Sequence, residues 1–75
     1  MTRLPRVTGE HVVRALRHAG FHTVRQRGSH VYLRHDDGRS TVVPLHSGET
    51  IGPGLLSKLL RDIEMDRDTF AALLD

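Results

Sequence analysis

Three side chains that can do chemistry lie at alternate positions of one short segment, residues 30–34. Gly28 just before it favours a tight turn, because glycine adopts positive φ at no steric cost. Alternate side chains of a strand share a face, so His30, Tyr32 and Arg34 are expected on one face of a strand. An imidazole transfers protons near neutral pH, and a guanidinium binds phosphate. The segment therefore predicts a face suited to proton transfer next to a bound phosphate.

Further candidates flank this segment. Arg25 and Arg27 precede the turn, where they could hold phosphates and stabilise developing negative charge. Ser29 is interpreted as a turn residue or a phosphate contact, since a nucleophilic serine needs a base and an orienting carboxylate that the sequence does not place. His46 follows the third predicted strand, whose end can lie near the start of the second. It is therefore either an acid–base partner of His30 or a residue that caps or packs beneath the next helix.

For the other polar side chains, a structural interpretation stands beside or in place of a functional one. Arg14 and Arg17 lie three residues apart on the outer face of the first predicted helix, where a solvated charged face is the structural interpretation. Tyr32 either stacks on a base or packs against its strand neighbours. The remaining histidines are expected at the surface, and the sequence predicts no metal site and no cofactor. These histidines are His11, His18, His22 and His35.

Composition limits the class of protein. A chain of 75 residues allows one domain with a thin core. Without cysteine, disulfides and thiolate metal sites are excluded. No apolar run has membrane-spanning length and no signal sequence is recognisable, so a cytoplasmic protein without a membrane partner is expected. Residues 1–46 carry a net charge of +5 and residues 47–75 one of −3, which indicates a region that faces a polyanion.

Hydrophobic periodicity and turn residues predict one α+β domain. Thr8 is a good N-cap for a helix over residues 8–19, and Gly20 ends it. Three strands over residues 21–27, 30–35 and 40–45 form an antiparallel meander. A loop leads to a helix that begins at Pro53, and Asp66 caps a last short helix. Residues 1–7 are expected to form a flexible arm. The apolar stripe of the second helix comprises Leu55, Leu56, Leu59, Leu60 and Ile63.

The predicted order is α-β-β-β-α(-α), a three-stranded antiparallel sheet with helices on one face. A chain this short cannot cover both faces of a sheet, so the second face is expected to stay open. Several motifs at fixed spacing resemble the HicA toxin family, over roughly residues 8–74. They are Gly20-Phe21, Arg25-Gln26-Arg27-Gly28-Ser29-His30, Arg34-His35-Asp36-Asp37-Gly38-Arg39, Val43-Pro44-Leu45-His46, Ile51-Gly52-Pro53-Gly54-Leu55 and Leu60-Arg61.

The resemblance implies a double-stranded-RNA-binding-domain-like fold and a toxin that cleaves mRNA. In such a fold the first helix contacts the RNA groove, so the resemblance favours phosphate contacts by Arg14 and Arg17 over a merely solvated face. It also implies neutralisation by a HicB-type antitoxin, with the toxin monomeric alone and part of a hetero-oligomer in the complex. The histidine of the family's Gly-Ser-His motif is its catalytic residue, which here is His30. The segment Ile63-Glu64-Met65 departs from the small-residue and glycine pattern that is usual between the last helices of the family.

Three functions remain open at this level. The first is a metal-independent endoribonuclease in which His30 acts as general acid or base on RNA. The second is a non-catalytic RNA-binding module of the same fold, in which Arg14, Arg17, Arg25 and Arg27 grip the RNA backbone. The third is an interaction protein whose basic face docks an acidic partner.

Overall fold

Residues 6–74 are the part of the chain that this computed structural model describes. Strands β2, β3 and β4 form one antiparallel sheet in that order, and β1 pairs antiparallel with β5. The α+β class and the predicted meander are confirmed. The elements are β1 (Val7–Thr8), α1 (Gly9–His18), β2 (His22–Arg27), β3 (His30–Arg34), β4 (Ser40–Pro44), β5 (Thr50–Ile51), α2 (Pro53–Asp62) and α3 (Arg67–Leu73).

The three-stranded sheet has one covered face and one open face. Val31, Leu33 and Val43 point to the covered face and are buried, whereas His30 and Arg34 alternate with them and are exposed. Because burial of apolar surface is the dominant stabilising term, this covered face is the centre of the core. The helices supply the other side of that core, with Val12, Ala15 and Leu16 from α1, Leu56, Leu59 and Leu60 from α2, and Phe70 from α3.

Helix α1 starts at the predicted cap and is held against the end of β4. Thr8 Oγ1 accepts the backbone N–H of His11 at 3.2 Å, and His11 Nδ1 accepts the backbone N–H of Thr8 at 3.4 Å. This is a capping box in which histidine takes the place of the usual glutamate. Gly9 is buried, and a Cβ there would overlap the carbonyl oxygen of Pro44 and lie 2.9 Å from Leu45 Cδ2. Helix and strand approach this closely because residue 9 has no side chain.

Helices α1 and α2 end in the same hydrogen-bonding pattern but with different residues in the left-handed position. After α1 this position is Gly20, with φ of 98°. After α2 it is Glu64, with φ of 52°. There Met65 N–H donates to Leu60 O at 2.9 Å and Glu64 N–H donates to Arg61 O at 3.2 Å, which is a Schellman motif. A residue with a Cβ is strained in this conformation.

Replacing Glu64 by glycine is expected to raise the free energy of unfolding by about 1 kcal/mol, because glycine relieves the left-handed strain. Glu64 is exposed, so little packing is lost. Urea denaturation of wild type, Glu64→Gly and Glu64→Ala measures the effect. The alanine variant keeps the Cβ, so it should stay near wild type. Equal stability of the two variants would show that the backbone conformation at residue 64 is not strained.

Arg39 ties the β3–β4 turn to the end of α2. Its Nε donates to Asp37 Oδ2 and its Nη1 donates to Ile63 O, both at 2.8 Å. The guanidinium also lies 5.1 Å from the centroid of the Phe21 ring. The sequence indicated only a hairpin here, whereas Arg39 links that hairpin to a helix and to the core.

Two carboxylates that accept backbone N–H groups make the free energy of unfolding depend on pH in the acidic range. The pKa of Asp66 lies below its ordinary 3.8, mainly because the carboxylate caps α3 by accepting the Thr69 N–H. The pKa of Asp37 is lowered in the same way, mainly by the N–H of Arg39. A carboxyl group whose pKa is lower in the folded than in the unfolded protein stabilises the fold. This stabilisation is complete above the unfolded-state pKa and is lost as the pH falls through the folded-state pKa.

The free energy of unfolding is therefore expected to fall as pH drops below about 3.8. Asp66→Asn keeps an N-cap acceptor but cannot titrate, so its stability should fall less steeply over this range. Asp66→Ala lacks the cap and should already be less stable at pH 7. Urea denaturation between pH 2 and pH 7 compares the three proteins. Parallel pH curves for wild type and Asp66→Asn would contradict the assignment to Asp66.

Three expectations need correction. Of the predicted arm over residues 1–7, residues 1–5 lie outside the described part, but Val7 is buried and pairs with Ile51, so it belongs to the fold. Leu55, predicted on the apolar stripe of the second helix, is 40% exposed. His35 is half-buried rather than a surface residue, because its ring packs edge-on against Phe21 at 5.1 Å.

Candidate active site

The side chains on the open face of the sheet form three rows, and each row contains one residue from each of the three strands. Residues directly opposite each other in an antiparallel sheet point to the same face, with Cβ atoms about 5 Å apart. None of the nine positions is acidic, and five carry arginine or histidine. This face is therefore a basic surface. The rows are Arg27–His30–Pro44, Arg25–Tyr32–Val42 and His22–Arg34–Ser40.

A two-residue turn places His30 at the start of β3. Gly28 has φ of 55° and Ser29 has a negative φ, as in a type II′ hairpin turn. The side chain of Gln26 donates to Gly28 O at 3.2 Å, and the N–H of Leu45 donates to Ser29 O. The turn is thus held from both neighbouring strands, which fixes the backbone on which His30 stands.

His30 and Arg27 form the first row on either side of that turn. They are directly opposite in the β2–β3 register, and both side chains are exposed. An exposed imidazole can accept or donate a proton, and a guanidinium beside it can stabilise the negative charge of a phosphate under attack. This pair is the part of the open face best suited to acid–base chemistry on a phosphodiester.

His46 lies at the same end of the sheet as His30. It follows Leu45, whose N–H binds Ser29 O, and it begins a turn closed by the N–H of Glu49 on His46 O at 2.9 Å. His46 is exposed rather than packed beneath the next helix. The expectation that the end of the third strand lies near the start of the second is met, and a catalytic role of His46 stays a prediction.

Arg25 and Tyr32 form the second row. The guanidinium carbon of Arg25 lies 5.0 Å from the centroid of the Tyr32 ring, a cation–π contact. The pairing shifts register between Thr23 and Arg25, so Val24 is the extra residue of a bulge, and this residue is 55% exposed. Sequence alternation did not indicate this bulge. It keeps Arg25 opposite Tyr32.

A groove of about 680 Å³ lies between the β3–β4 part of this face and α2. Arg25 and Arg27 stand on the adjoining strand β2 and are not part of the groove's lining. Tyr32 and Val42, both half-buried, line it together with His30. On the helix side, Leu55 and Lys58 line it. Lys58 has no functional signal in the sequence, because its place beside the sheet depends on how α2 packs and not on local pattern.

The two arginines predicted on α1 lie away from this groove. Arg17 Nη2 donates to Thr23 Oγ1 at 3.1 Å, which ties α1 to β2. Arg14 lines a separate depression of about 370 Å³ with His11 of the same helix and Leu73 of α3. The structure therefore brings Arg25, Arg27, Ser29 and His30 together but does not bring Arg14 to them. That separation follows from α1 packing on the covered face of the sheet.

Within residues 6–74, no group of three or more histidine or acidic side chains is arranged to hold a metal ion. None of the helices in the same range has the length and apolar character required to cross a bilayer. Among known protein families, the one described as "HicA toxin of bacterial toxin-antitoxin" matches residues 9–65 of the chain. No curated protein matches the sequence of this chain significantly. The matched range includes α1, the whole three-stranded sheet and α2.

Proposed function

Because this chain belongs to the HicA toxin family, we propose that it is an endoribonuclease that cleaves mRNA without a metal ion, as the toxin of a toxin–antitoxin pair. One observation supports this most directly. His30 stands exposed at the start of β3, opposite Arg27, on a sheet face whose nine registered positions include no acidic residue. Acid–base chemistry and phosphate binding are thus available side by side.

In the proposed reaction, RNA supplies its own nucleophile. The 2′-oxygen loses its proton to a base and bonds to the adjacent phosphorus, while the bond from phosphorus to the 5′-oxygen breaks and that oxygen takes up a proton. The products are a 2′,3′-cyclic phosphate and a 5′-hydroxyl. His30 serves as the base or the acid, and His46 is the candidate for the other role. Arg27 and Arg25 stabilise the charge that develops on the phosphate oxygens.

The proposed partner is a HicB-type antitoxin in the cytoplasm. To inhibit this enzyme, it must cover His30 or keep RNA from the open face. We expect acidic or apolar groups of the antitoxin to complement the arginines there. Hydrogen exchange of the complex measures this as slowed exchange in β3 and in the β2–β3 turn. An inhibited complex in which only α1 and α3 are protected would contradict it.

Incubation of the purified chain with a long RNA in EDTA tests the proposed function. Cleavage that leaves 2′,3′-cyclic phosphate ends is the expected result. An RNA in which the 2′-hydroxyls are methylated should bind but stay intact, because the nucleophile is blocked. Binding of unmodified RNA without cleavage would overturn the enzyme assignment and favour the non-catalytic RNA-binding module.

A further inference from the structure

We propose that the groove on the open face binds an unpaired nucleotide beside the phosphate that is cleaved, with its base stacked on the Arg25–Tyr32 pair. The substrate would then be single-stranded RNA, gripped by the sheet rather than by α1. This inference rests on the proposed ribonuclease function and adds a base-binding subsite to it.

The position of the pair relative to His30 supports this subsite. Tyr32 follows His30 by two residues on β3, so their Cα atoms lie about 6.6 Å apart along the strand. Both side chains point to the open face and both line the groove. A phosphate at His30 thus leaves the base of an adjoining nucleotide within reach of the Tyr32 ring.

The chemistry of the groove suits a base more than a second phosphate at this point. Tyr32 and Val42 are half-buried and adjacent in register, and Leu55 adds apolar surface from α2. Bases of RNA stack on aromatic rings and on arginine guanidinium planes. The contact between Arg25 and Tyr32 at 5.0 Å provides both kinds of group at one place.

Charge around the groove indicates a polyanion as its occupant. Arg27 and Arg34 lie in the rows on either side of the Arg25–Tyr32 pair. The acidic side chain in the groove lining, Asp62, is paired with Lys58 at 3.1 Å. An apolar floor with a basic rim matches a single strand, whose bases are free to stack while its phosphates meet the arginines.

A duplex fits this arrangement less well. Its bases are stacked inside the helix, so a surface ring meets only sugars and phosphates. Arg14 and Arg17, which the resemblance favours as RNA contacts, stand on α1 at the covered side of the sheet and so lie away from Tyr32. The geometry therefore separates two modes of binding: a strand on the sheet that depends on Tyr32, and a duplex on α1 that does not.

Binding of an uncleavable RNA tests the subsite. The probe is a single-stranded 2′-O-methyl oligoribonucleotide that carries 2-aminopurine, whose fluorescence falls when the base stacks. Tyr32→Leu should raise Kd by roughly 5- to 150-fold and remove the quenching, as for the loss of one base–aromatic stack. Tyr32→Phe keeps the ring and should bind and quench like wild type.

Arg34→Ala separates stacking from charge. Loss of one phosphate contact should lower the slope of log K against log salt by about 1, whereas Tyr32→Leu should leave the slope unchanged. Circular dichroism and thermal unfolding confirm that each variant is folded. If Tyr32→Leu binds and quenches like wild type, or if the same oligonucleotide binds better as a duplex, the inference is wrong. If Tyr32→Leu weakens only the binding of an antitoxin, the groove is a protein-docking site instead.

The outcomes for the subsite and for the proposed function differ. A wild-type protein that cleaves RNA, with a Tyr32→Leu variant that binds and cleaves equally well, removes the subsite and keeps the ribonuclease. A protein that never cleaves unmodified RNA but loses binding and quenching in Tyr32→Leu keeps the subsite and removes the ribonuclease.

Discussion

His30→Ala is expected to lower the rate constant of RNA cleavage by about 10²–10⁴-fold, the usual contribution of a general acid or base. The side chain is exposed and makes no part of the core, so the folded structure and RNA binding should be retained. Single-turnover cleavage of a defined RNA at saturating protein measures the chemical step apart from binding. Fluorescence anisotropy with the 2′-O-methyl oligonucleotide measures binding.

His22→Ala is the matched control for this prediction. His22 also stands exposed on the open face, but in the row at the far end of the sheet, opposite Arg34. Its variant should cleave at nearly the wild-type rate. Equal losses in the two variants would mean that His30 contributes only to the general charge of the face. Comparable cleavage by wild type and His30→Ala would direct attention to His46.

Gly9→Ala is expected to destabilise the fold by about 3 kcal/mol, because the added methyl group overlaps the carbonyl oxygen of Pro44 and crowds Leu45. Backbone atoms cannot rotate away, so relief requires α1 to move from β4. This loss is a large part of the total free energy of unfolding, which is roughly 4–11 kcal/mol for a chain of this length at 0.05–0.15 kcal/mol per residue. Urea denaturation followed by circular dichroism measures it.

Gly54→Ala is the control for Gly9→Ala. Gly54 lies in the first turn of α2, and a Cβ there has no neighbour within 4 Å. Alanine should stabilise this helix slightly, because it has a higher helix propensity than glycine. A Gly9→Ala protein as stable as wild type would show that α1 can shift without cost and that the contact with Pro44 does not hold the fold together.

Local signals in the sequence were reliable because each acts within one turn. Thr8, Gly20, Pro53 and Asp66 mark helix ends in the structure as expected. The two-residue turn at residues 28–29 fixes the hairpin register and sets Arg27 directly opposite His30, whereas the sequence predicted only that Arg27 precedes the turn. Their catalytic and RNA-binding roles stay predictions.

The features that sequence reasoning missed depend on distant parts of the chain. β1 and β5 are two residues each, so neither has a periodic pattern of its own, and they exist because Val7 meets Ile51. The exposure of Leu55 depends on how α2 is rotated against the sheet. The position of Arg14 away from the groove likewise depends on which face of the sheet receives α1. Local propensity carries no information on any of these contacts.

The division of the sheet into a covered and an open face has a genetic consequence for the proposed pair. Substitutions at His30 leave the core intact, so copies of the chain that lack the proposed catalytic group would still fold and accumulate. Such copies would keep most of the surface that an antitoxin recognises. If the proposed pair exists, they would compete for antitoxin and release active toxin. A loss-of-function allele at His30 is then expected to be dominant in a cell that also carries the wild-type gene.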